Sequence, residues 1–65
     1  MRLGTLVARK ILQGDVAAAR LVAAENPFHG SWSVPELRAI SRAIEVAGER
    51  YPGLQGNVTM EQFMT

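Results

Sequence analysis

Cysteine is absent from this chain, so no disulfide can supplement its core and no thiolate can hold a metal. Histidine occurs once, at His29, which leaves zinc without its usual ligand set. Aspartate also occurs once, at Asp15, so a nucleophile, a base and a group to orient the base would have to come from very few side chains. Apolar runs are short: the longest, Val16 to Ala24, is interrupted by Arg20 and falls well below the roughly 20 residues that span a bilayer. The opening Met1-Arg2-Leu3-Gly4 imitates the start of a signal peptide, but Arg9 and Lys10 break any apolar stretch behind it. The expectation is a cytoplasmic chain. Strands are missing as well, because the β-branched residues are scattered and no apolar/polar alternation persists. Without a strand, no dinucleotide or phosphate-binding strand-loop-helix fingerprint can be built.

What is present is helix. The 65 residues are 48% hydrophobic and 20% charged, which is the balance of a folded chain. A chain of this length makes one small domain, residues 1–65, and buries only about 60% of the surface its unfolded form exposes. Tight helix packing or a partner chain must supply the rest.

Leu3, Leu6, Val7 and Ile11 recur at three- and four-residue steps and predict a helix over 3–13. Gly14 then offers a helix stop and Asp15 a cap for the next helix, 15–25. A single rod from Leu3 to Glu25 would turn Leu12 and Val16 towards the side of Arg2, Arg9 and Arg20, so the break at Gly14 is the better reading. The second helix is almost wholly Ala, Leu and Val. Helices apolar around their circumference are usually buried on several sides, which nominates it as the centre of the fold or as a dimer seam. Pro27 ends it by excluding the preceding residue from helical geometry. A third helix, 34–50, sets Leu37, Ile40, Ala43, Ile44 and Ala47 against Arg38, Arg42, Glu45 and Glu49, and Pro52 stops it in the same way. A short helical turn over 59–64 completes an all-α bundle of three helices.

Two octets share a grammar: GSWSVPEL at 30–37 and GNVTMEQF at 56–63. Each resembles the second half of an EF-hand calcium loop, where a glycine makes the turn and a glutamate closes the coordination. The rest of the loop argues against calcium. Ligand positions one, three and five would be Glu25, Pro27 and His29 in the first copy, and Tyr51, Gly53 and Gln55 in the second. Only one of those six is a carboxylate. The octets read better as helix starts. Ser33 with Glu36, and Thr59 with Gln62, are spaced as capping boxes, with Trp32 and Leu37, or Val58 and Phe63, as the accompanying hydrophobic staples.

For function, the reading is a non-catalytic protein-binding module, a small regulator or inhibitor that occupies a partner surface. No enzyme activity, cofactor or metal is expected. Phe28, His29 and Trp32 form the candidate contact loop, since aromatic anchors dominate interface energetics. His29 beside Ser31 or Ser33 is read as a turn-stabilising imidazole rather than a base.

Two alternatives come from other classes. A DNA-binding regulator would use Arg2, Arg9, Lys10 and Arg20 on phosphates, although the helix after Gly14 offers little but Arg20 to a groove. The charge split does not by itself imply nucleic acid: residues 1–31 carry four cations and two anions, net +2, and the remainder three and four, net −1, so neither half is strongly basic. A self-associating subunit would pair through the Ala-rich helix 15–25 as a twofold homodimer.

Overall fold

Gly14 turns the chain. In the computed structural model, which describes residues 2–25, 32–54 and 56–64, it takes φ +79°, a left-handed conformation open to glycine at no steric cost. Its N–H bonds the Ile11 carbonyl at 2.9 Å, and the Asp15 N–H bonds the Lys10 carbonyl at 3.0 Å. These two bonds make a Schellman motif, which closes the first helix, α1 (Leu3–Leu12). Asp15 at once begins the second helix, α2 (Val16–Ala24), by accepting the Ala18 N–H on Oδ1 at 3.1 Å. One residue thus ends one helix and starts the next, so the hairpin reading holds and α2 folds back on α1.

The third helix, α3 (Val34–Arg50), begins with the expected capping box at Ser33 and Glu36. Its end is as foreseen too: Tyr51, held before Pro52, leaves helical geometry at φ −124°, ψ 85°. A 3₁₀ turn at Pro52–Leu54 and the short helix α4 (Glu61–Met64) complete the chain. Among the described residues there is no strand.

The direction of packing follows from two sets of hydrogen bonds. Gly4 near the start of α1 meets Glu36 near the start of α3, and Leu12 at the end of α1 meets Arg50 and Tyr51 at the end of α3. The two helices therefore run side by side in the same direction, with α2 returning between them in sequence. The apolar seam between them holds Val7 and Ile11 of α1 with Ile40, Ala43 and Ala47 of α3, all essentially inaccessible to water. Alanine at 43 and 47 lets the two backbones approach closely. Ala19 and Ala23 are the buried residues of α2, which packs on α1 and α4. Trp32, Val58 and Phe63 close the core, and the radius of gyration of 10.5 Å matches the roughly 11 Å of a close-packed chain this long.

The Ala-rich helix is not the centre of this arrangement. α1 occupies that place, packed by both α2 and α3 and leaving only Arg2, Thr5, Arg9 and Gln13 fully exposed along one stripe. Meanwhile α2 touches α1 and α4 and turns its other half outward. The reason is steric: alanine fills so little space that a helix built from it can be covered on one side and leave the rest bare at small cost.

Candidate functional site

Polar side chains gather where α1 and α3 both begin. α1 has no cap of its own, because Arg2 at its N-cap offers no side-chain acceptor. The missing acceptor comes from α3. Glu36 lies in helical phase with Ile40, Ala43 and Ala47, so it faces α1, and its Oε2 accepts the Gly4 N–H at 2.9 Å. Its other oxygen, Oε1, accepts the Ser33 hydroxyl at 2.8 Å and the Ser33 N–H at 3.4 Å. Arg2 in turn donates from Nη1 to the Ser33 hydroxyl at 3.2 Å. A single carboxylate thus closes two helix N-termini.

Gly4 permits this closeness. A Cβ at that position would lie 2.5 Å from the Glu36 Cβ and 2.8 Å from its Cγ, well inside contact distance. Sequence reading identified Glu36 as half of a capping box but did not pair it with Gly4. The signal was there in part: a glutamate in register with three core residues needs a polar partner on the facing helix.

The same bonds define the chemistry of the knot. The Ser33 hydroxyl and then the Gly4 N–H hold the Glu36 carboxyl below its ordinary range; burial opposes them less strongly, and the Ser33 N–H and the charge of Arg2 add smaller lowering effects. A carboxylate so stabilised and so fully bonded is a poor general base for Ser33, since efficient proton transfer wants a pKa near the working pH. The cluster is a structural clamp. A matching clamp sits at the far end of the seam, where the Leu12 carbonyl accepts Arg50 Nη1 at 3.2 Å and Tyr51 Oη at 3.5 Å.

The residues expected to contact a partner are distributed differently. Trp32 is buried, and its indole N–H donates to the Phe63 carbonyl at 3.2 Å, joining the start of α3 to α4. Phe28 and His29 lie outside the described residues. Of the four basic candidates, Arg2 and Arg9 share the exposed stripe of α1, Lys10 is half-buried, and Arg20 is exposed on α2. Arg2 is already engaged by Ser33.

Two surface features remain. A groove of about 280 Å³ is lined by Ile44, Glu45 and Glu49 of α3 and by Leu54 and Val58 beyond it. The second is the outward half of α2. Ala17, Leu21 and Ala24 form a stripe at spacings of four and three, and Leu21 is 72% exposed. The sequence nominates α2 as the centre of the fold or as a dimer seam, and does not say which of its sides stays uncovered.

Among the described residues no group of three or more His, Asp or Glu side chains converges as a metal site. Nor is any helix among them long and apolar enough to cross a membrane. Comparison with protein-family profiles, with curated proteins and with solved structures returned no match.

Proposed function

We propose that this chain is a non-catalytic protein-binding module, a small regulator or inhibitor that acts by occupying a partner surface. The observation that carries the reading is the outward stripe of α2, where a leucine stands 72% exposed between two exposed alanines. Isolated exposed apolar residues are ordinary, as at Val34, whereas a leucine flanked along one helix by two exposed alanines supports a contact surface.

The test is affinity capture from the native host with the wild-type chain and with Leu21→Glu. The stripe takes no part in the buried core, so the variant should keep its helical circular dichroism and lose its captured protein. Equal capture by both chains rejects the stripe as the contact. Loss of capture in Phe28→Ala, with Leu21→Glu unaffected, would move the contact to the loop ahead of α3. Salt-steep retention on duplex DNA that disappears in Arg20→Ala would instead support a nucleic-acid reading.

A further inference from the structure

We infer that the partner of the α2 stripe is a second copy of this chain, and that the two α2 helices pair in parallel about a twofold axis. This rests on the reading of the α2 stripe as a contact surface, and takes the self-associating alternative for what covers it. The argument begins with register. Ala17 and Ala24 are seven residues apart and Leu21 stands between them at four and three, the spacing of d, a and d in a heptad. Arg20 then occupies position g and Glu25 position e, and both are exposed.

Register fixes what each Leu21 would meet. In a parallel pair, a side chain at position a enters a hole made by the preceding d and g, the facing a and the following d of the other helix. Here those are Ala17, Arg20, Leu21 and Ala24 of the partner subunit. Two small residues, one on each side of the facing leucine, leave room for the incoming one. The face is therefore complementary to itself, as a twofold contact requires.

Charge fixes the direction. A parallel twofold sets the g edge of one helix against the e edge of the other, so Arg20 faces Glu25 of the partner subunit, and the pair occurs twice. An antiparallel twofold would set like edges together, g on g and e on e, so Arg20 and Glu25 would lie on different rims and could not pair. Only the parallel arrangement matches opposite charges along both rims of the stripe.

The absence of cysteine makes a direct experiment clean. Three full-length single-cysteine variants, Ala17→Cys, Leu21→Cys and Ala24→Cys, are oxidised mildly beside a control, Ser41→Cys, on the exposed side of α3. Parallel pairing brings each of the three positions onto its own counterpart, within reach of a disulfide, and all three should form covalent dimers while the control does not. Sedimentation or light scattering of the cysteine-free chain should show the mass rising towards a dimer with concentration. Arg20→Glu should weaken this association about ten-fold, since two favourable contacts become two repulsive ones, and Arg20→Glu combined with Glu25→Arg should restore it.

Cross-linking at only one of the three positions overturns the parallel pairing. A chain that stays monomeric at high concentration, or cross-links no faster than the control, overturns the dimer. The host-capture experiment reads the broader binding role separately, because Leu21-dependent capture by a monomeric chain would preserve that role while rejecting this inference.

Discussion

The seam between α1 and α3 and the outer half of α2 are built from similar residues and end up opposite in kind. Along the seam, Val7, Ile11, Ile40, Ala43 and Ala47 exclude water, and the polar ends are closed by Glu36 on Gly4 and by Arg50 and Tyr51 on Leu12. Along the outer half of α2, Ala17, Leu21 and Ala24 are just as apolar and stay exposed. Composition alone does not separate structure from surface; the seam is distinguished by the polar groups that lock its two ends. Substitutions in the seam should act on folding, and substitutions on the stripe on association.

The largest effect is expected for Ile40→Ala. Its side chain has no exposure, and emptying such a site costs about 2 to 5 kcal/mol. Native stability is on the order of 0.1 kcal/mol per residue, so in a chain this short the variant should be largely unfolded at room temperature by circular dichroism.

Gly4→Ala should come next. The added methyl meets the Glu36 Cβ, which sits on the backbone and cannot swing aside, so the two helices must separate. A loss of about 1 to 3 kcal/mol by urea denaturation is expected. In an ordinary exposed helix position the same change would stabilise by up to about 1 kcal/mol, so even the sign of the result reports on the clamp.

The two capping boxes divide the next prediction. The Ser33 box is complete, with Ser33 Oγ accepting the Glu36 N–H at 3.4 Å and the carboxylate returning to the Ser33 N–H. At the second box only the amide half is made: Gln62 Oε1 accepts the Thr59 N–H at 3.4 Å, while the Gln62 N–H goes to the Thr59 backbone carbonyl at 3.2 Å. Ser33→Ala should cost about 1 kcal/mol, and Thr59→Ala a few tenths at most.

Glu36→Gln gives a smaller, pH-dependent effect whose sign is fixed. Because folding lowers the Glu36 pKa, its contribution is fully present above the unfolded carboxyl's value, about 4.3, and is lost as pH falls through the folded value. Denaturation midpoints measured between neutral pH and acid should therefore fall less steeply for Glu36→Gln than for the wild type. Parallel curves would mean that the charge on Glu36 contributes nothing to the clamp.

These contrasts also explain what could be read from the chain before its fold was known. The hairpin at Gly14, the box at Ser33 and the stop before Pro52 are local: the residues that cause them lie within six positions of one another. The sided pattern of α3 was legible for the same reason. The clamp was not, because Gly4 and Glu36 are 32 residues apart and each has a self-sufficient local explanation. That α1 and not α2 is the centre was not legible either, because a helix of alanines carries too little contrast between its faces to show which one is covered. Trp32 is legible as an apolar residue just ahead of the Ser33 cap, but its bond to the Phe63 carbonyl depends on how α4 returns.

Thermal unfolding of the wild type and of Leu21→Glu over a wide range of protein concentration tests the division between seam and stripe most directly. A chain that associates through the stripe gains stability by mass action, so the wild-type midpoint should rise with concentration, stay flat in Leu21→Glu, and converge with it at high dilution. A Leu21→Glu midpoint lowered equally at every concentration would make Leu21 part of the fold, and a wild-type midpoint independent of concentration would contradict self-association.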